Sequence, residues 1–410
     1  MTGTSKEPNH DFIDLYLHHT GESEVPQQFH LFACLSLLAA SVADRVWLVR
    51  DDGGTRIYPN LYVYLIGPSG SGKEKAITTA ARFADGYPKI GLFMSTGVTK
   101  QYLIDHLCRQ PCDDKPHPNI LYLVTEELGM AIPSKELGKE LIKFMTGHYI
   151  RSGLTSYEGT RMHGQKTIKD PSLNWLAGTT DEWLTKAVDR DAIEGGFFAR
   201  VLSVRGKRSG DVRFADMVYP QDREQIRHVL QQRIEAYSTV TFQFTKSKEA
   251  AEYYKEWYES PTMRPSPNDK LMEPAFNRSD EMVHRLAMIL KLSSMNESML
   301  PGYLTSVQIE QPFFEEAVKF WDGVLQDIPH TIRQAAATKE SAEVENVAEI
   351  IKRLKVLDHS TLLRRCGSRG MNADQVKVAL RTLTEQLDVE AGVEQTAPGH
   401  TKRVYKWVGT

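Results

Sequence analysis

Gly67-Pro68-Ser69-Gly70-Ser71-Gly72-Lys73-Glu74 follows an apolar run, Leu61-Tyr62-Val63-Tyr64-Leu65-Ile66, and leads into a helix-prone stretch, Lys75 to Phe83. Strand, glycine loop, lysine and helix in that order are the context of a phosphate-binding loop. The glycines let backbone N–H groups turn inward around a polyphosphate, and the helix start adds partial positive charge. Gly67, Pro68, Ser69, Gly70, Ser71, Gly72, Lys73 and Glu74 are therefore candidate nucleotide-binding positions, with Lys73 reaching the terminal phosphates. Glu74 stands where a magnesium-holding Ser or Thr is usual. Its carboxylate either coordinates magnesium, directly or through water, or adds negative charge beside the phosphates and slows turnover.

Further along, Ile120 to Val124 is a five-residue apolar run of the buried, parallel-sheet kind, and it ends in Thr125-Glu126-Glu127. Beside a phosphate loop, Glu126 would help hold magnesium and Glu127 would polarise the attacking water. A solvated acidic turn is the plainer reading. The strand Leu173 to Ala177 is followed by Gly178-Thr179-Thr180, so Thr179 or Thr180 would orient that water, or serve as a turn or helix cap. Asp181 is a further cap candidate for the helix containing Trp183. Gly195-Gly196-Phe197-Phe198-Ala199-Arg200 then sets an arginine at the start of the strand Arg200 to Val204. That placement suits an arginine finger, or a plain surface arginine. Arg285 shares an apolar helix stripe with Met282, Leu286 and Ile289; it either snorkels or reaches a phosphate.

The pattern around these motifs is that of an open α/β sheet. Residues 1–55 read as an N-terminal helical region closing on a strand at Arg45 to Val49. Residues 56–212 alternate strands and helices, including Ile90 to Met94 and Thr99 to Cys108. Residues 213–335 read as a helical lid. Arg333 to Glu343 reads as a linker or an exposed helix. Residues 344–410 give three helices and a β-hairpin, the outline of a winged helix.

At 410 residues the chain can hold two or three domains, and 41% hydrophobic with 25% charged residues is ordinary for globular proteins. No apolar run is long enough to span a bilayer and no signal peptide is visible, so a cytoplasmic protein without a membrane partner is expected. A net charge of −3 excludes a uniformly basic surface but permits local basic stripes. Four cysteines give no disulfide framework, and Cys108, Cys112, His106 and His117 match no standard zinc spacing. Arg161, His163, Lys166 and Lys169, within Thr155 to Asp170, would offer a cationic prong to a phosphate backbone, or form an ordinary exposed hairpin. Lys377 and Arg381 on the third C-terminal helix, with Lys402 and Arg403 on the wing, are the other DNA-binding candidates, although nearby acidic residues dilute them.

The succession of phosphate loop, acidic pair, threonine-bearing strand, arginine at a strand start and helical-lid arginine resembles the AAA+ P-loop ATPases. More narrowly it resembles the primase-helicase-type proteins of phages, plasmids and genomic islands. The carrying residues are Glu24-Val25-Pro26 with Ala40 to Leu48, Gly67 to Lys73, Glu126-Glu127, Gly195 to Arg200 and Arg285-Leu286-Ala287. Phe198-Ala199-Arg200-Val201 is similar to the arginine-finger motif of the MCM replicative helicases. The resemblance spans roughly residues 10 to 330. It implies a hexameric ring that moves DNA by hydrolysing ATP with Mg2+, working with other replication proteins. In such a ring Arg200 would act on a neighbour's nucleotide, and Thr155 to Asp170 would be the pore hairpin. Glu74, and Glu126 in place of the usual Asp, keep a second expectation open: a nucleotide-switched DNA-binding scaffold, such as an initiator or helicase loader.

Overall fold

The structure, a computed structural model, describes residues 11–408 apart from 22–23, 51–53, 96, 109–118, 133–134, 152, 154, 161–163, 188–195, 208–219, 261–271, 304, 337–338, 386–387 and 398–399. Two helices, Phe12–Thr20 and Gln27–Val42, precede two short strands, β1 (Val46–Val49) and β2 (Arg56–Ile57). Asp11 caps the first helix by accepting the Ile13 N–H at 2.8 Å. The second helix is buried on nearly every side, as its continuous apolar sequence requires.

There follow β3 (Tyr62–Ile66), β4 (Leu92–Met94), β5 (Ile120–Thr125), β6 (Thr155–Thr160), β7 (Gly164–Lys169), β8 (Ser172–Thr179) and β9 (Val201–Arg205). Five of them form a wholly parallel sheet in the order β4-β5-β8-β3-β9. Burial explains the order. Every residue of β3, β5 and β8 is buried, whereas β4 keeps exposed positions and takes an edge. Trp175 of β8 packs edge-on against Tyr64 of β3 at 5.2 Å, and Phe197 closes the cluster at 6.2 Å. β6 and β7 form a separate antiparallel pair, with Thr155 opposite Lys169.

The expectation of an all-helical stretch from 213 to 335 needs correction. Its helices are Arg223–Tyr237, Lys248–Glu259, Glu273–Ser293 and Gln311–Ala336, but β10 (Phe242–Lys246) and β11 (Ser306–Ile309) lie among them. β10 pairs with β1 and β11 with β10, forming a second sheet ordered β11-β10-β1-β2, with Val46 opposite Phe242. Phe242 and Phe244 alternate with Gln243 and Thr245 over so few residues that the flanking helical periodicity masks them. This pairing joins the segments expected as 1–55, 56–212 and 213–335 into one compact unit, Met1–Ala335; Ala336–Thr410 is the second. Two finer boundaries also move. A 3-10 turn, Pro88–Ile90, precedes β4, and Arg200 belongs to the turn Phe198–Arg200 that precedes β9.

In the second unit the helices Lys339–Leu354, His359–Gly367 and Ala373–Glu385 pack on β12 (Val356–Asp358), β13 (Val389–Ala397) and β14 (His400–Trp407). The strands are antiparallel in the order β12-β14-β13. Val376, Leu380 and Leu383 enter its core with Ile351, Leu362 and Tyr405. Of the stretch expected as a linker or exposed helix, 333–336 ends one helix and 339–343 begins the next. Among the described residues no helix is long and apolar enough to cross a membrane.

Arg285 shows how the first unit is fastened. It is 2% exposed on the helix Glu273–Ser293, its guanidinium lies 4.3 Å from the Tyr149 ring centroid, and its Nη1 donates to the Asn60 carbonyl. Arg285→Ala removes both contacts and is expected to lower unfolding free energy by about 2–3 kcal/mol in urea titrations. Nucleotide affinity of the folded variant should be unchanged, because Asn60 precedes β3 and the glycine loop follows it.

Candidate nucleotide-binding site

The chain leaves β3 at Ile66 and turns through Gly67 to Gly72 into the helix Lys73–Ala84. The Gly67 N–H donates to the Thr179 carbonyl at 3.2 Å, and the Gly206 N–H to the Ile66 carbonyl at 3.0 Å. These bonds tie the carboxyl ends of β8, β3 and β9 together. A Cβ on Gly67 would sit 2.5 Å from the Gly206 carbonyl oxygen, so a side chain there forces the two segments apart. Phe29 lies beneath them; a Cβ on Gly206 would stand 2.6 Å from its ring. Gly70 and Gly72 have φ of +76° and +86°, the left-handed region that glycine enters without strain. No side chain caps the helix, so its first-turn N–H groups have no intrahelical acceptor and are available to an anion.

Lys73 is 5% exposed and folds back into the loop. Its Nζ donates to the Gly67 carbonyl at 2.7 Å and the Pro68 carbonyl at 2.9 Å, and lies 3.5 Å from Ser71 Oγ. Burial lowers its pKa, and Glu127 pulls in the opposite direction. The loop faces a cleft of about 1170 Å³ whose walls also include Glu74, Glu126, Glu127, Tyr102 and Arg223. The two motifs, far apart in sequence, therefore meet in one cavity. Glu74 is exposed there, and its carboxylate makes no hydrogen bond or ion pair among the described residues. Glu126 is half-buried on the same wall.

Glu127 follows β5 at the start of the short helix Leu128–Ala131. Burial raises its pKa, while Lys73 and the Gly129 N–H work against that rise. Two glycines shape this turn, and sequence reasoning missed both. A Cβ on Gly129 would meet the Trp183 ring at 2.4 Å, and one on Gly178 would meet the Glu126 carbonyl oxygen at 2.3 Å. Trp183 thus lies close against the acidic turn, and β8 passes it with backbone almost touching.

Of the two threonines, Thr179 stands beside the loop, while Thr180 caps the helix Asp181–Ala187 by accepting the Trp183 N–H at 3.3 Å. Asp181, a cap candidate, instead pairs with Arg205 at 2.6 Å. Arg200 and Arg285 are not brought to this cleft. Val201 is in register with Tyr62, so Arg200 sits at the amino end of the sheet, its Nη1 donating to the Gly196 carbonyl at 2.7 Å. Burial and nearby Arg278 lower its pKa. Arg285 is at that end too, bound to the Asn60 carbonyl. Six extended residues separate Asn60 from Gly67, roughly 20 Å at about 3.3 Å each. The placement of Arg285 as a residue contacting the same chain's phosphates is therefore corrected: its helix crosses the opposite end of β3.

Two of the basic candidates are held in ion pairs. Arg161 and His163 lie outside the described residues, as do Cys112 and His117. Lys166 is ion-paired to Asp105, while Lys169 is exposed. In the second unit Lys377 is exposed, Arg381 pairs with Glu385 at 2.9 Å, and Arg403 is exposed opposite Val393. The hairpin register sets Glu394 opposite Lys402 and Glu390 opposite Lys406. Among the described residues no three His, Cys, Asp or Glu side chains converge as a ready metal site. The oxygens of Glu74 and Glu126 are nonetheless of the class that magnesium takes alongside phosphate.

No protein-family model matches the chain, and no curated protein matches it.

The raised pKa of Glu127 has a stability consequence. Between its ordinary value of 4.5 and the raised value, the folded chain keeps a proton that the unfolded chain has lost. Stability therefore falls as pH rises through that window. Glu127→Gln should unfold at the wild-type urea midpoint below the window and at a higher midpoint above it. Parallel titrations from pH 4 to 8 would check this.

Proposed function

We propose that the chain is an ATP-hydrolysing motor subunit of AAA+ type, a DNA helicase or translocase serving replication of a phage, plasmid or other mobile element. One observation carries the reading: a glycine loop with its lysine and an acidic strand end line the same cleft at the carboxyl ends of parallel strands. Ligands in open α/β sheets bind at that end. The cleft's donor set fits a nucleoside triphosphate, with left-handed glycines, uncapped helix N–H groups and a buried ammonium around one cavity.

In this reading Lys73 exchanges the Gly67 and Pro68 carbonyls for phosphate oxygens, keeping its charge compensated throughout. Glu127 orients a water and takes its proton; its raised pKa brings it nearer to neutrality as a base. Thr179 holds the loop to β8 through its carbonyl and fixes the distance between lysine and carboxylate. Glu126 and Glu74 would hold Mg2+, which neutralises phosphate charge when bound. Arg200, remote from its own chain's cleft, would complete a neighbour's site, which requires an assembly such as a hexameric ring. The second unit, a helical trio with a β-hairpin, is read as a winged helix.

A second reading, a nucleotide-switched DNA-binding scaffold, is favoured by Glu74. An exposed carboxylate with no cationic partner among the described residues, on the wall where phosphates would sit, opposes their charge and slows turnover. Steady-state ATPase and forked-duplex unwinding separate the two. For the motor, Lys73→Ala should abolish nucleotide binding and Glu127→Gln should bind ATP with turnover reduced about 10²–10⁴-fold. Arg200→Ala should lose about 10³-fold and regain activity when mixed with Glu127→Gln. Wild-type turnover in both Lys73→Ala and Glu127→Gln would refute the site, and DNA binding with ATP but no unwinding would favour the scaffold.

A further inference from the structure

The helix Lys100–Leu107 touches both the cleft and the β6–β7 hairpin. Thr99 caps it, accepting the Tyr102 N–H at 3.2 Å, and Leu103, Ile104 and Leu107 bury its inner face. On the cleft side Tyr102 is stacked on Phe93 of β4 at 4.9 Å between centroids, and both rings line the cavity. His106, one turn further, lies 5.8 Å from the same Phe93 ring. The Ser95 N–H, just past β4, donates to the Val124 carbonyl at 3.1 Å, which joins this wall to the acidic strand.

On the other side Asp105, three residues from Tyr102, receives the Lys166 ammonium of β7 and the Gln101 amide at 2.9 Å. The hairpin base is fixed separately. Arg151 pairs with Asp170 at 2.9 Å, and His148 lies 3.0 Å from Ser156 Oγ. The Lys166–Asp105 pair is thus a tie between mid-hairpin and helix, distinct from the anchors at the root. Its side chains are 28% and 39% exposed, and a pair that accessible is weak.

We propose that the Lys166–Asp105 ion pair is a latch that a nucleic-acid phosphate opens, so that occupancy of the hairpin is felt at the Tyr102 wall of the nucleotide cleft. The proposal rests on reading the hairpin as a DNA contact and the cleft as an ATP site. A phosphodiester and the Asp105 carboxylate compete for one ammonium. When phosphate wins, the helix loses its tie to the hairpin and Tyr102 is released against Phe93. Coupling of this kind is reciprocal, so a filled cleft must alter hairpin affinity by the same factor.

The test uses the full chain, a fluorescent oligo-dT, anisotropy, hydrogen exchange over 100–107 and ATP turnover. In wild type, oligonucleotide binding should speed exchange over 100–107 and change turnover. Asp105→Asn should bind about three-fold more tightly and show the fast exchange without oligonucleotide. Lys166→Gln should bind more weakly, with a salt slope shallower by about 0.7, and its exchange should not respond. The charge-exchanged pair, Asp105→Lys with Lys166→Asp, should restore slow exchange but not affinity, which a merely destabilised helix would not do. Oligonucleotide bound to wild type with exchange over 100–107 unchanged overturns the latch, as does an exchange response that leaves a measurable ATP turnover unchanged. No binding by any form refutes the DNA reading of the hairpin and the latch together. A wild type that binds and responds in exchange but turns over no ATP at all refutes the ATPase reading and keeps the latch.

Discussion

The close approach of three backbones at one edge of the parallel sheet is the constraint on which the cleft depends. Gly67 is held to the end of β8 and Gly206 to the end of β3, with the Gly206 carbonyl where a Gly67 side chain would be. Phe29, from a helix otherwise committed to the core, wedges beneath both. With these positions fixed, the turn has little choice of path, and Lys73 is delivered into the loop rather than into solvent. The acidic turn obeys the same rule, since Gly178 passes the Glu126 carbonyl and Trp183 covers Gly129. Lys73 and the acidic turn are spaced by contacts that tolerate no extra carbon.

What the sequence revealed and what it hid divide along locality. The glycine loop, the apolar acidic strand and the helices of the second unit each carry their signal within a dozen residues, and each appears where its pattern placed it. β10 and β11 carry almost none. They exist because β1, some 200 residues earlier, leaves a strand edge for Phe242 to Lys246 to pair with. Arg285 failed differently. Arg285 does sit on the apolar stripe its neighbours define, but a stripe does not say which end of a strand the helix crosses. Nothing local in the sequence marks Gly178 and Gly129; only the neighbouring backbone and indole give them meaning.

Two of the basic groups singled out in the sequence are held in local pairs. Lys166 is matched by Asp105 and Arg381 by Glu385, and the hairpin register sets glutamates opposite the β14 lysines Lys402 and Lys406. Such pairing lowers the standing field toward a polyanion and reduces indiscriminate attraction at long range. Encounter with a phosphate backbone would then depend on exchange of partners, and would be sensitive to salt on both sides of the exchange. The near-neutral composition is the global trace of the same habit.

Arg200 and the glycine loop occupy opposite ends of one sheet, roughly 20 Å apart along β3. A site built from both must join unlike faces of two copies, a head-to-tail contact. In an open string of such copies the terminal cleft has no donor and the terminal arginine no acceptor. Only closure removes both loose ends. Turnover per subunit would therefore climb steeply with concentration until closed assemblies form, and a dimer would have one finished cleft at most.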